Sequence, residues 1–247
     1  MKSIVVILKE LLLGLVVPFK SRVGFKLQIF RFRENSSSKI TETDWAAIPY
    51  NRISYVNKII SISKVDNYLE IGCDTDSLFH SIHLKNKIGV DPVKGGNRRM
   101  TSDDFFSTNE IYFDLVFIDG LHTYSQVRRD VVNSLKFVKV GGWIALHDLL
   151  PRNWLEEHVP RIGEGAWTGD VWKIAFELTK TNGIDFKIVN ADRGIGILKI
   201  LEPGVELFDD SLSLQVSNYD FYYTNLNSLP ILDYEAALEW LNTLRTY

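Results

Sequence analysis

The sequence predicts an α/β fold: a mostly parallel sheet that ends in an antiparallel hairpin, with helices on both faces. Three observations lead there. Short apolar runs recur through the middle of the chain, YLEIG (68–72), KIGVD (87–91), FDLVFID (113–119) and GWIALHD (142–148), each ending in a polar residue or a glycine. Continuous apolar runs of strand length, separated by loop or helical sequence, are what parallel strands buried on both faces require. The last two runs, FKIVNA (186–191) and GIGILKI (194–200), are joined only by Asp192 and Arg193. That link is too short for a crossover and suits a hairpin.

At 247 residues the chain holds one such domain with additions, and two full domains are not expected. The opening MKSIVVILKELLLGLVVPFKSR is apolar but interrupted by Lys9 and Glu10. Its uninterrupted part, Leu11 to Phe19, is too short to span a bilayer, and no small-residue cleavage site follows. We read a helix that docks on the domain, on a partner subunit or, through residues 4–19, peripherally on a membrane face. RFRENSSSKITETDW is polar and serine-rich and reads as a linker ending near Trp45. ISYVNKIISISK (53–64) has apolar residues at helical spacing and can pack beside the first strand. YSQVRRDVVNSLKFV (124–138) places Val127, Val131, Leu135 and Val138 on a core face, with Arg128, Arg129 and Asp130 read as a solvated face. The aromatic tail, 203–247, reads as packing on the domain or as a subunit interface, which leaves a homo-oligomer open. The expected divisions are therefore 1–45, 46–202 and 203–247.

Hydrophobic residues make up 45% and charged residues 24%, ordinary for a soluble globular protein. A net charge of -3 gives no basic excess, so nucleic acid is not an expected partner. The single cysteine, Cys73, excludes an intramolecular disulfide and a cysteine-rich zinc site, and a cytoplasmic, reducing location follows as the natural expectation.

In an open α/β sheet, ligands bind beyond the carboxyl ends of the strands. Those ends carry Glu70 and Gly72, then Asp91, Asp119, and His147 with Asp148. Asp91 stands about twenty residues past the glycine turn, where a carboxylate can accept hydrogen bonds from ribose hydroxyls. That position alone does not separate one adenosine cofactor from another. The turn does: G-x-G-x-x-G is absent, and Asp74 and Asp76 would repel a diphosphate. S-adenosylmethionine carries an ammonium and a sulfonium and no phosphate, so an acidic loop suits it.

With these residues the chain resembles the class I S-adenosylmethionine-dependent methyltransferases from about Tyr68 to Ile200. LEIGCDTD is similar to the first motif of that family, GVDP to the acidic end of the second strand, and TSDDFF to the adenine-contacting segment. FDLVFIDGLHTYSQVRRDV, GGWIALHD and WTGDVWK resemble a subgroup that includes sugar and small-molecule O-methyltransferases. One departure is Asp76, where the family commonly has a second glycine. The resemblance implies a Rossmann-like methyltransferase fold with a seven-stranded sheet. It implies that Glu70, Gly72, Cys73, Asp74, Asp91, Ser102, Asp103 and Asp119 hold S-adenosyl-L-methionine, and that a hydroxyl of a small molecule, sugar or glycan precursor accepts the methyl group.

Metal-dependent relatives place a divalent cation on an aspartate after the fourth strand and an acidic pair after the fifth, positions matched here by Asp119 and by His147 with Asp148. Magnesium prefers oxygen ligands, and a histidine in the set leans towards manganese, iron or zinc; the alternative is that His147 only hydrogen-bonds beside Asp148. His122, three residues after Asp119, is the first candidate for the base, with an ordinary pKa of ~6.5. His147 is its competitor, and Asp119 completes the catalytic candidates. The irregular LPRNWLEEHVPRIGEGAWTGDVWK is expected to wall the acceptor site, with Trp167, Asp170 and Lys173 touching substrate and Arg152 or Arg161 meeting an anionic group. Equally, Asp170 could start a helix, with Trp172 in the core. Two other functions compete: an NAD(P)-dependent oxidoreductase on a similar sheet, and a non-catalytic binding or assembly protein.

Overall fold

A computed structural model describes residues 22–245. The expected membrane contact through residues 4–19 lies outside the described residues, among which no helix is long and apolar enough to cross a membrane.

All six apolar runs are strands: β1 (Asn67–Ile71), β2 (Asn86–Val90), β3 (Phe113–Ile118), β4 (Val138–Leu146), β5 (Ile184–Val189) and β6 (Ile195–Ile200). A seventh, β7 (Ile231–Leu232), comes from the aromatic tail and pairs in parallel with β5. The order is β2-β1-β3-β4-β6-β5-β7. The β1–β2, β1–β3 and β3–β4 pairs are parallel, while β6 runs antiparallel to both β4 and β5. The chain passes from β1 to β2 on one side and then crosses to β3 on the other. That reversal opens a crevice beyond the carboxyl ends of β1 and β3.

Alternation along the strands explains the two apolar layers, because successive side chains point to opposite faces. Leu69, Ile71, Val116, Ile118, Ile144 and Leu146 meet one layer, completed by Val127 and Val131 of the helix Tyr124–Phe137 and by Ile174 and Leu178 of the helix Lys173–Lys180. Tyr68, Leu115, Phe117, Trp143 and Ala145 meet the other, with Tyr55, Val56 and Ile59 of the helix Arg52–Ile62. That helix begins at a capping box in which the Asn51 side chain accepts from the N–H groups of Ile53 and Ser54.

The flanking segments pack onto this sheet. Tyr219 and Tyr222 are buried, and Tyr222 lies 5.2 Å from the Trp172 ring. Ala237 and Leu241 of the helix Tyr234–Thr243 join the layer of Tyr55. The serine-rich linker is tied down as well: Thr41 N donates to Arg152 O at 2.8 Å, and Ser37 Oγ donates to Asp220 Oδ1 at 2.7 Å.

Candidate active site

A cleft of about 870 Å³ lies beyond the carboxyl ends of β1 to β4. Its entry loop starts at Gly72, with φ of 83°, where a Cβ would stand 2.1 Å from Asp119 O. Only glycine lets the loop cross the end of β3 that closely. Asp74 (φ 44°) and Asp76 (φ 62°) are also left-handed, a conformation that aspartate tolerates better than most residues. Asp76 thus keeps the backbone that a glycine would adopt. Its carboxylate turns out of the cleft, Oδ1 accepting from Gly96 N at 2.6 Å. The departure from the family's second glycine places no carboxylate in the way of a ligand.

Asp91 sits at the end of β2 and is buried. Its Oδ2 accepts from the N–H groups of Cys73 and Asp74, both at 3.1 Å, and its Oδ1 from those of Val93 at 2.8 Å and Lys94 at 2.9 Å. Burial works to raise the carboxyl's pKa, but the four N–H groups outweigh it and hold the group below its ordinary value. Glu70, on the cleft floor, receives the Tyr68 hydroxyl at 2.6 Å. Burial pushes its carboxyl up to about 8, so it is largely neutral at pH 7 with no ligand bound.

Asp130 is a correction to the solvated face expected for its helix: it is 1% exposed and faces the cleft. It accepts from Ser102 Oγ at 2.6 Å and from Gln126 Nε2 at 3.0 Å. Burial raises its carboxyl to about 6. Its place three residues after Val127 puts it at the edge of the apolar stripe, a signal the sequence did carry. Arg128 does not stand free in water either; its Nε donates to both oxygens of the buried Glu177 at 3.1 Å.

The other end of the cleft is a charged cluster. His147, 3% exposed, has Nδ1 at 3.3 Å from both Asp119 Oδ1 and Asp148 Oδ1, and Nε2 at 3.3 Å from Asp192 Oδ2. These are ion pairs without the alignment of a hydrogen bond. Burial alone would lower the pKa of His147, but Asp119 and Asp148 overcome it and push the imidazole up to about 10. Asp192 is held below the ordinary range, its burial outweighed by His147 and by Arg52, whose Nη1 donates to Asp192 Oδ2 at 2.9 Å. Arg193 Nε donates to Asp148 Oδ1 at 3.1 Å. Asp192 (φ 45°) and Arg193 (φ 62°) are both left-handed in the β5–β6 turn, the strained backbone that aims them at the end of β4.

His122 lies between this cluster and the cleft mouth. Its Nδ1 is 3.1 Å from Trp167 O and 3.2 Å from Asp148 Oδ2, and its Nε2 is 3.5 Å from Asp119 Oδ1. The Trp167 ring stacks on it at 5.2 Å. Burial lowers the His122 pKa, and the neighbouring carboxylates of Asp119 and Asp148 more than reverse this, for a net rise. Asp119 in turn is held far below the usual carboxylate range by the two histidines, against its own burial. Gly169 allows the approach: at φ of 62°, a Cβ there would fall 1.8 Å from His122 O.

Every residue expected to hold the cofactor lines this one cleft, together with His122, His147, Asp148 and Trp167. Asp170 and Lys173 do not. Lys173 is buried and donates to Asp170 Oδ2 at 3.0 Å, while Asp170 Oδ1 accepts from Tyr124 N at 2.6 Å. The pair ties two helix starts together, and Trp172 is fully buried, as the alternative helix-start reading requires. Arg152 is occupied by Glu156, and Arg161 donates to Gly165 O. The cleft also contains Arg52, Gln126, Asp130 and Arg193, with Asp192 behind them; sequence reasoning named none of these as site residues.

Among the described residues, Asp119, His122 and Asp148 bring one ligand atom each within 4.8 Å of one another. This grouping shares Asp119 and Asp148 with the expected set and has His122 where His147 was expected. Two carboxylates and an imidazole fit a divalent ion of the manganese or zinc type more closely than an all-oxygen magnesium site.

Residues 69–149 match the family model described as a methyltransferase domain. That stretch, from β1 to just past the end of β4, is similar to a methyltransferase domain. No curated protein matches it in sequence. Among solved structures, the S-adenosylhomocysteine-bound methyltransferase PaMTH1 of Podospora anserina is 15% identical with a TM-score of 0.45, over 76% of this chain and 99% of that one. A putative caffeoyl-CoA O-methyltransferase from Staphylococcus aureus is 14% identical with a TM-score of 0.44, over 72% and 99%. CalS10, an amino pentose methyltransferase from Micromonospora echinaspora, is 14% identical with a TM-score of 0.42, over 74% and 98%. Likeness this distant leaves the choice of acceptor to the cleft itself.

Proposed function

We propose that this chain is an S-adenosylmethionine-dependent O-methyltransferase whose acceptor is a hydroxyl of a small molecule, sugar or glycan precursor, with His122 as the general base. The observation that carries the proposal is the placing of His122, which lines the cleft: Nδ1 is engaged by Asp148 and Trp167 O, while Nε2 lies 3.5 Å from Asp119 Oδ1. When bound, S-adenosylmethionine supplies an electrophilic methyl group on a cationic sulfur. Asp74 and Asp91 give the cleft a carboxylate lining that suits a cation and opposes the diphosphate of a dinucleotide. His122 Nε2 takes the acceptor's proton as its oxygen attacks. Asp148 holds the Nδ1–H tautomer, and Asp119 and Asp148 stabilise the imidazolium that forms. Trp167 offers a flat apolar face for an acceptor ring at the mouth of the cleft.

The converging atoms of Asp119, His122 and Asp148 favour a second reading of the same end. A divalent ion held there would lower the acceptor's pKa as a Lewis acid, and it would occupy the His122 lone pair. Metal and base are therefore exclusive roles for this histidine. A methylation screen over hydroxyl acceptors, run with a chelator and then with Mn²⁺, tests both. Methylation that survives the chelator supports the base, and methylation restored only by Mn²⁺ supports the metal. Binding of S-adenosylhomocysteine with no methylation of any acceptor would leave a non-catalytic binding protein.

A further inference from the structure

Asp192, Arg193 and Gly194 lie in the β5–β6 turn, and all three are left-handed, with φ of 45°, 62° and 91°. Successive side-chain-bearing residues in that region cost conformational energy, and such strain persists only where the surroundings fix it. Here the fixing is visible. Leu149 N donates to Gly194 O at 3.1 Å and Leu150 N to Arg193 O at 2.8 Å, and a Cβ on Gly194 would stand 2.5 Å from Leu150 Cγ. The turn is clamped onto the residues that follow β4, and it holds Arg193 on the wall of the cleft.

Arg193 spends little of its side chain on that wall. A guanidinium carries its N–H donors in a rigid fork. In Arg193 only Nε is engaged, on Asp148 Oδ1 at 3.1 Å. Its Nη1 and Nη2 have no hydrogen-bond partner among the described residues, and the side chain is 34% exposed. Arg52, in the same cleft, stands between two carboxylates instead: Nη1 donates to Asp192 Oδ2, and Nε lies 3.8 Å from Asp119 Oδ2. Arg152 and Arg161, the arginines expected to meet an anionic group, do not line the cleft.

One carboxylate ties Arg193 to the reaction end. Asp148 faces His122 Nδ1 with Oδ2 at 3.2 Å and Arg193 Nε with Oδ1. The base and the guanidinium therefore flank a single side chain, a gap that a substituted sugar or aromatic ring spans. With Nε taken, the end of the fork is left, and its paired N–H groups match the oxygens of a carboxylate or a phosphate.

We propose that the free end of the Arg193 fork binds an anionic group of the acceptor, a carboxylate or a phosphate on the same small molecule as the reacting hydroxyl, and so selects which acceptors are methylated. The proposal rests on the O-methyltransferase reading above and gives its acceptor a charge.

A methylation screen of matched hydroxyl acceptors on the full chain, with and without Mn²⁺, tests it. The pairs include dihydroxybenzoate against dihydroxybenzyl alcohol, glucuronate against glucose, and a hexose phosphate against the free hexose. The wild type should favour the anionic member of a pair by about 10- to 100-fold in kcat/KM, and the pair that shows it distinguishes carboxylate from phosphate. Arg193→Asn removes the charge and keeps a residue tolerant of the left-handed backbone. Its preference should fall to within about 3-fold, through a higher KM for the anionic member. Arg193→Lys keeps the charge without the fork and should retain only part of the preference, which separates loss of an anion contact from damage to the turn. Equal use of both members by the wild type overturns the proposal, and so does a full preference in Arg193→Asn. Should Arg193→Asn not fold, the wild type and Arg193→Lys decide, because a full preference in the lysine variant also overturns a contact made by the fork. Methylation of no acceptor at all would overturn the O-methyltransferase reading itself, an outcome distinct from methylation without regard to charge.

Discussion

The two ends of the cleft handle buried carboxylates differently. At the nucleoside end, Asp91 and Asp76 are satisfied by backbone N–H groups. At the reaction end, Asp119, Asp148 and Asp192 face imidazoles and guanidiniums. A backbone N–H does not titrate, so the first arrangement holds its shape across pH. Imidazole does titrate, so the second can accept and release a proton. One end is built to stay fixed and the other to change charge.

The sharpest break between the ends should come from His122→Ala. Loss of the base is expected to lower kcat by about 10²- to 10⁴-fold. Because His122 stands at the reaction end, S-adenosylhomocysteine affinity should stay within about 3-fold of wild type. Steady-state kinetics paired with calorimetry would show this, and a parallel collapse of affinity would mean that the two ends are not separable.

Asp91→Ala should strike the fixed end. It strands four N–H groups, that of Cys73 buried and the other three partly so, and should cost about 3 kcal/mol of stability. For a chain of this size that is a fall in melting temperature of about 6–12 °C, readable by thermal denaturation. A melting temperature within a degree of wild type would deny Asp91 its structural role.

Acidity should separate the ends again. A base with a raised pKa must lose its proton to work, so kcat/KM should rise with pH through an inflection above ~6.5. Stability carries the opposite sign for His147, whose folded pKa of about 10 lies above its unfolded one. Its contribution is whole below pH ~6.5 and is lost as the pH rises through about 10. A pH series of denaturant melts on wild type and His147→Gln would isolate it, since the variant should lack that alkaline decline.

The smallest effect is expected from Asp76→Gly. Glycine keeps the left-handed backbone at the loss of one hydrogen bond to Gly96, a cost of about 1 kcal/mol. Calorimetry should find S-adenosylhomocysteine affinity within about 3-fold of wild type. A tenfold gain would show that the Asp76 carboxylate had obstructed the ligand after all.

Much of this protein was legible in its residues alone. Strand runs such as FDLVFID carry their burial in their own composition, and a link of two residues between FKIVNA and GIGILKI admits little but a hairpin. A short link between apolar runs is a local constraint, and local constraints can be read along a chain. The row of strand-end acids followed as well, because a parallel sheet delivers its strand ends to one edge.

Other features were decided only in three dimensions. Whether a carboxylate lines the cleft or turns out of it depends on which N–H groups fold against it, and Asp74 and Asp76 look alike in sequence. Asp192 and Arg193 read as a bare hairpin turn until antiparallel pairing of β4 with β6 carried that turn to His147. Asp170 and Lys173 had the chemistry of a substrate wall and were consumed as a buried pair. β7, two residues long, has no signal of its own and exists because β5 offers it an edge. The sequence by itself determined the sheet, the acidic cleft edge and the residue types at each strand end. The tertiary structure decided which of those charges face a partner and which face the cleft, because charge pairing depends on distance in space and not along the chain.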